Sequence, residues 1–259
     1  MTASRPGFRL DGATCLITGA GRGIGREAAL AFADAGAAVA GGDIDPASAK
    51  ATAEAIEAAG GRAQAIALDV TDAASVTAAA EEAARLGGGR LDILVNNAGV
   101  NAVKSSYELS LEDWRRVIAV NLTGVFLCSQ AAARRMRDTG GGCIVNVASI
   151  YGLVGPPLHP AAAYAASKGA VVNLTRALAV EWAADGIRVN AIAPTHVRTE
   201  MTRPRVDDPE WRARMLERTP LGRVLEPRDV VGALVFLASP AAECITGQIL
   251  AVDGGWLAE

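Results

Sequence analysis

Apolar residues in this chain come in short blocks separated by longer amphipathic stretches. Runs such as Leu-Asp-Ile-Leu-Val-Asn (91–96) are followed by segments whose apolar positions recur at helical spacing. Continuous apolar runs mark strands covered on both faces, and a 3.6-residue period marks the helices that cover them. The pattern predicts strands over 13–18, 37–43, 62–68, 91–96, 143–148, 187–193 and 248–252. It predicts helices over 23–35, 46–59, 72–86, 110 to about 136, 161–183 and 227–238. Pro46 suits a first helical turn, and Ser110-Leu111-Glu112-Asp113 resembles a capping box. Gly87-Gly88-Gly89 and Gly140-Gly141-Gly142 mark loops before strands. A polar, Arg-rich stretch at 199–223 breaks the alternation and reads as a lid. No repeat or linker divides the chain. The expected fold is therefore a single α/β domain over 1–259, a Rossmann-type doubly wound parallel sheet of about seven strands.

Composition changes this picture little. Hydrophobic residues are 51% of the chain but aromatics only 4%, so the core must be built mainly from Ala, Val, Leu and Ile. Basic and acidic residues nearly balance, 25 against 28, and no basic cluster is interleaved with aromatics, so nothing points to nucleic acid. No apolar run approaches the roughly 18 residues of a membrane span, and Met1 to Gly7 lacks the apolar stretch of a secretory leader. Cys15, Cys128, Cys143 and Cys244 are isolated, and are expected to be buried thiols in a reducing cytoplasm. Two histidines are too few for a zinc cluster, so no metal is expected.

The chemistry concentrates in Tyr164-Ala165-Ala166-Ser167-Lys168. Residues four apart share one helix face, and a fixed ammonium near a phenol stabilises the phenolate. Lys168 is thus expected to lower the pKa of Tyr164 and make it a general acid/base. A solvated surface pair is the bland alternative, but about 0.03 such pairs are expected by chance. The first strand-to-helix junction reads Thr18-Gly19-Ala20-Gly21-Arg22-Gly23-Ile24-Gly25, with glycines spaced G-x-x-x-G-x-G. Such a loop lets a pyrophosphate approach the backbone at a helix N-terminus. Asp43 ends the second strand, where a carboxylate can accept both adenosine ribose hydroxyls and repel a 2′-phosphate. Ile44 follows it where an NADP site often has a basic residue, and although Arg22 offsets part of the repulsion Asp43 outweighs it, so NAD is expected over NADP.

Taken in order, these segments resemble the short-chain dehydrogenase/reductase family from about residue 10 to 257. Thr18 to Gly25 is similar to its cofactor loop, Asp69-Val70 to its adenine-side pair, and Asn96-Asn97-Ala98-Gly99 to its N-N-A-G segment. Asn121, Ser149, Tyr164 and Lys168 match its catalytic tetrad. The resemblance implies that Tyr164 exchanges a proton with the substrate oxygen and Ser149 orients that oxygen. Lys168 would hold the nicotinamide ribose, and Asn121 a water relaying protons to Lys168. Gly19, Arg22, Gly23, Ile24, Gly25, Asn97, Ala98 and Gly99 would line the cofactor, with Val197 and Thr199 meeting the carboxamide.

Two features depart from the family. Ser149 and Tyr164 lie 15 apart, longer than usual, around a stiff Gly155-Pro156-Pro157-Leu158-His159-Pro160. Thr195 stands where a glycine is usual, which puts the backbone beside the nicotinamide in doubt. His159 and His196 are candidate substrate contacts, each weighed against a surface position. Arg198, Arg203 and Arg205 are expected on an exposed charged lid face rather than on a substrate anion.

The Pro-Thr-His-Val-Arg-Thr segment and Asp43 resemble the sugar, polyol and aldonate dehydrogenases of the family, such as gluconate 5-dehydrogenase. The expectation is an NAD(H)-dependent interconversion of a secondary alcohol and a ketone. A 3-oxoacyl thioester reductase using NADPH is the alternative enzyme, and an idle nucleotide-binding sensor the alternative of another class. The resemblance also implies a homotetramer built on the helices carrying Asn121 and Tyr164. Val171, Val172, Leu174, Leu178 and Val180 make the latter helix apolar on more than one face.

Overall fold

The central strands are covered on both sides because their residues leave no polar face to wet. Thr14–Thr18 (β1) and Ile93–Asn96 (β4) are buried at every position. In the computed structural model, which describes residues 7–258, seven strands form one parallel sheet in the order β3-β2-β1-β4-β5-β6-β7. The remaining strands are Ala38–Asp43 (β2), Arg62–Ala67 (β3), Gly142–Val147 (β5), Ile187–Pro194 (β6) and Ile249–Val252 (β7). The segment read as lacking a leader lies outside the described residues up to position 6.

Helices Gly23–Asp34 (α1), Pro46–Ala58 (α2) and Pro227–Ala238 (α9) contribute to the core on one face of the sheet. Ala73–Leu86 (α3), Gly124–Asp138 (α5) and Ala162–Glu181 (α6) cover the other. Alanines dominate the helix faces of these layers, among them Ala28, Ala29, Ala79, Ala80 and Ala83, which brings helix backbones close to the strands.

The predicted elements are all present, and the differences have local causes. The helix expected from 110 to about 136 is Leu111–Ile118 (α4), a π turn at Ala119–Thr123, and α5. A π turn adds a residue to the helix and shifts the faces on either side of it. Asn121 sits in that turn, fully buried. Ser110 caps α4 by accepting the Asp113 N–H at 3.0 Å, while the Asp113 carboxylate accepts from the Ser110 hydroxyl rather than from its backbone. By length and composition the combined helix Leu111–Asp138 could cross a membrane, yet Cys128, Ala132 and Met136 pack it into the core. The lid contains two short helices, Arg203–Val206 (α7) and Pro209–Leu216 (α8), anchored inward by Val206 and Met215. Cys15, Cys128 and Cys143 are buried, but Cys244 is exposed in the loop before β7, contrary to expectation.

The strand order reverses between β1 and β4, and ligands of open α/β sheets bind at such a switch point, beyond the carboxyl ends of the strands. A buried polar network steadies that edge. Asn96 donates to Ser129 Oγ and Asn146 Oδ1, both at 2.9 Å, and Asn146 donates to Thr175 Oγ1 at 2.9 Å. These bonds tie the ends of β4 and β5 to α5 and α6 directly beneath the site.

Candidate active site

A cavity of about 540 Å³ opens along the carboxyl edge of the sheet. Its wall at one end is the β1–α1 loop. Gly19 and Gly23 adopt positive φ (+67° and +54°), which the turn requires. A Cβ on Gly25 would collide with the Gly19 carbonyl oxygen, so the loop closes on itself only with glycine there. Asn97 braces the turn from β4, its amide donating to the Thr18 and Gly19 carbonyls at 3.0 Å. Thr18 Oγ1 accepts from the Asn97 and Ala98 N–H groups, both at 3.0 Å. Asn97 thus shapes the loop with its side chain while also lining the cavity. This cradle of backbone N–H groups at the start of α1 fits a pyrophosphate.

Asp43 lines the same cavity with Ile44, Asp69 and Val70. Its Oδ2 accepts from Gly21 N at 2.9 Å and its Oδ1 from Asp45 N at 3.0 Å. The carboxylate therefore fastens the glycine loop to β2, and each oxygen keeps a lone pair for a ribose hydroxyl. The exposed Asp45 is the helix cap, accepting from Ala47 N. Asp69 Oδ1 accepts from the Thr71 N–H and hydroxyl, holding the turn after β3.

Ser149, Tyr164 and Lys168 meet at the other end of the cavity. Ser149 follows β5 and caps a single 3-10 turn by accepting from Tyr151 N at 3.1 Å. Tyr164 and Lys168 come from one face of α6, with the Lys168 Nζ 5.6 Å from the phenol ring centre. That ammonium is buried, donates to the Val147 carbonyl at 2.6 Å, and burial pulls its pKa down to about 8. The Tyr164 phenol is raised by burial, against the expectation of a value lowered by Lys168. What lowers it in part is a hydrogen bond from Ser149 and the charge of Arg205. The reason is that Lys168 is itself desolvated and directed at a backbone carbonyl.

Asn121 has a fuller hydrogen-bond set than a water-holding amide would need. It accepts from Val100 N at 2.8 Å and donates to Val100 O at 2.9 Å and Ser167 Oγ at 3.1 Å. Both of its donors are engaged within the protein, so only a lone pair on Oδ1 is left for the expected water.

On the lid side, His159 and His196 join residues the sequence did not single out. Tyr151, His159, His196, Trp211 and Trp256 form an aromatic cluster, with His196–Trp211 and His196–Trp256 ring centres 4.8 and 5.3 Å apart. His196 is buried there, its Nε2 2.9 Å from the Tyr151 hydroxyl; it belongs neither to the loop surface nor to the lining of the main cavity. Burial pushes His196 down to about 3 and the half-buried His159 to about 4. Both imidazoles are neutral at pH 7. Arg198 pairs with Asp207 and Glu226, and Arg203 is exposed, as expected. Arg205 instead turns inward, half-buried, and burial lowers its pKa. Only an alternating in–out contact pattern could have signalled this, and α7 is too short to show one. Asn101, Arg116, Glu200, Met201 and Thr202 also line the cavity without having been anticipated.

Thr195 keeps its backbone out of the left-handed region, since no described non-glycine residue has positive φ. Its N–H reaches Val252 O at 3.3 Å, so the position tolerates a side chain. Thr202 organises the stretch beyond, its Oγ1 accepting from Thr199 N at 3.0 Å and donating to Val197 O.

Sequence and structure comparisons agree with this arrangement. The family model described as enoyl-(acyl carrier protein) reductase, a short-chain type, matches residues 19–257. The chain belongs to the short-chain dehydrogenase/reductase family. It is similar to a galactitol 2-dehydrogenase (L-tagatose-forming) of Cereibacter sphaeroides, 47% identical over 96% of both chains. A D-threitol dehydrogenase of Mycolicibacterium smegmatis is 45% identical over 96% of this chain and 94% of that one. Among solved structures, a gluconate 5-dehydrogenase from Burkholderia cenocepacia in complex with NADP and tartrate superposes with a TM-score of 0.92. It is 40% identical and aligns over 97% of this chain and 98% of that one. The protein is accordingly an NAD(P)-dependent oxidoreductase that acts on CH–OH groups.

Proposed function

We propose that this enzyme interconverts a secondary alcohol and a ketone on a sugar, polyol or aldonate, with NAD(H) preferred. The observation that carries this reading is a single cavity with two ends. Ser149, Tyr164 and Lys168 line one, and the glycine loop with Asp43 lines the other. When bound, a nicotinamide dinucleotide supplies the hydride acceptor or donor. The Ser149 hydroxyl orients the substrate oxygen, and the Tyr164 phenol gives or takes the proton there. Because the phenol's pKa is raised, it stands protonated at neutral pH, ready to act as the acid in ketone reduction. Alcohol oxidation starts from the phenolate, which the hydrogen bond from Ser149 and the charge of Arg205 favour against burial. Lys168 would also hold the nicotinamide ribose, with Val197 and Thr199 at the carboxamide.

The galactitol- and threitol-oxidising relatives support a polyhydroxylated substrate. Asp43, followed by the exposed Ile44, supports NAD, because a carboxylate faces a 2′-phosphate unfavourably. The NADP bound in the Burkholderia enzyme argues the other way, and Arg22, which lines the cavity, is the group that would meet such a phosphate. We also infer a soluble, cytoplasmic homotetramer; exposed Phe126 on α5 and Val180 on α6 support apolar contact through those helices. The test is turnover of polyols, aldonates, steroids and 3-oxoacyl thioesters with each cofactor. Reduction of the thioesters with NADPH, and no turnover of polyols or aldonates, would overturn the reading.

A further inference from the structure

Tyr151 and His196 stand 45 positions apart in the chain, yet their side chains form a buried hydrogen bond, with the phenol oxygen 2.9 Å from Nε2. The other ring nitrogen, Nδ1, lies 3.3 Å from the Thr195 hydroxyl. A neutral imidazole has one donor nitrogen and one acceptor, so it satisfies one hydroxyl by donating and the other by accepting. Burial keeps both partners neutral, pushing His196 down to about 3 and raising the Tyr151 phenol. Neither His196 nor Tyr151 lines the cavity, but each is bonded to a residue that does. His196 bonds to Thr195, and the Tyr151 backbone N–H donates to Ser149 Oγ at 3.1 Å. Tyr151 belongs to the single 3-10 turn Ile150–Gly152. That turn lies against the backbone of α6, since a Cβ on Gly152 would stand 2.6 Å from the Lys168 carbonyl oxygen. His196 gives it a second anchor, from the loop after β6. The rings of Trp211 in α8 and Trp256 after β7, centred 4.8 and 5.3 Å away, hold the imidazole in place.

We propose that His196 is a positioning residue for Ser149. Through the Tyr151 hydroxyl it fixes the turn whose N–H occupies a lone pair of Ser149 Oγ, and so aims the Ser149 O–H into the cavity. The proposal rests on the reading of Ser149 above and extends the machinery to a pair outside the cavity wall. A serine hydroxyl has one proton and two lone pairs, and its proton rotates to suit its neighbours. It cannot point at the Tyr151 N–H, which is itself a donor. The proton therefore turns away from the turn, toward the place where the substrate oxygen and the Tyr164 phenol meet. Loosening the turn frees that rotation and lets the Ser149 oxygen drift, and an error near 1 Å in placing a reacting group can cost about 100-fold in rate.

The test measures kcat, KM and cofactor affinity on a substrate that the wild type oxidises. The proteins compared are wild type, H196F, H196Q, Y151F and S149A, with H196F and Y151F also combined with S149A. H196F keeps a ring in the cluster but removes both bonds, and kcat should fall by about 10- to 100-fold while cofactor affinity stays within a few-fold. Y151F breaks the same bond from the other side and leaves the backbone N–H in place. Its kcat should fall to a similar extent, which carries the test if H196F does not fold. H196Q, whose amide reaches toward Tyr151 where Nε2 stood, should recover most of the rate. In the S149A background neither H196F nor Y151F should lower kcat further, because the group they position is gone. A merely structural part for the pair would lower kcat equally with and without Ser149, and that result would overturn the proposal. Parent rates in H196F and Y151F beside a slow S149A would overturn it alone. A parent rate in S149A would remove the reading of Ser149 and the positioning role with it.

Discussion

The Asp43 carboxylate holds Gly21 N–H and Asp45 N–H while its remaining lone pairs face the cavity, so substituting it loosens the loop as well as removing ribose contacts. Asp43→Ala should therefore weaken NAD by roughly 1.5–3 kcal/mol, the value of bonds to a charged group, and raise the NADP-to-NAD ratio of kcat/KM. Measuring both cofactors on both proteins checks it; an unchanged ratio would remove Asp43 from cofactor choice. The pH dependence follows from Tyr164. With the phenol's pKa raised, ketone reduction should proceed at neutral pH and fall as alkali removes the proton, while alcohol oxidation should rise with pH. Profiles of kcat/KM in the two directions that run in parallel would contradict this. At this scale the sequence was legible where a residue's role follows from neighbours near in the chain, as with Tyr164 and Lys168. It was opaque where the role depends on burial. Nothing local foretold that His196 would bond to Tyr151 within an aromatic cluster, or that burial would raise the phenol.

Elements were readable because each carries its own period, and their ends carry turn chemistry. The strand positions came out of apolar runs, and Pro46 and Ser110 stand at helix starts as expected. The π turn at Ala119–Thr123 was not readable, because one extra residue leaves the helical pattern almost unchanged. The lid's two helices were hidden by its charge, since Val206 and Met215 are their only fully buried apolar side chains. The glycine loop is the element whose function depends most on one atom's absence. Gly25→Ala would place a Cβ against the Gly19 carbonyl and close to Asn97 Nδ2, forcing the turn apart. Cofactor affinity should fall by at least about 10-fold while far-UV circular dichroism stays that of the parent. Retained affinity, measured by fluorescence titration of the reduced cofactor, would mean that this turn does not hold the pyrophosphate.

Over the whole molecule, the doubly wound sheet was legible because strand–helix alternation leaves few topologies open. Assembly was less so: Val171, Val172 and Leu178, expected at a subunit interface, are buried within the subunit's own core. Light scattering should still give about four times the 26.5 kDa chain mass, through the apolar residues that stay exposed on α5 and α6. A monomer mass at micromolar concentration would end that proposal. Stability should fall on acidification. Between about 4 and the ordinary imidazole value of 6.5, unfolded His159 and His196 bind protons that the folded protein excludes, so stability rises with pH across that window. The urea midpoint should drop from pH 7 to pH 5, and drop less in His196→Gln. The account as a whole turns on the proton carrier in α6. The most direct measurement is the rate of nicotinamide reduction by wild type and Tyr164→Phe on a substrate the wild type oxidises. Cofactor affinity should stay within a few-fold while kcat falls by about 10²–10⁴. A variant turning over at near the parent rate would contradict the assignment of Tyr164 and the mechanism built on it.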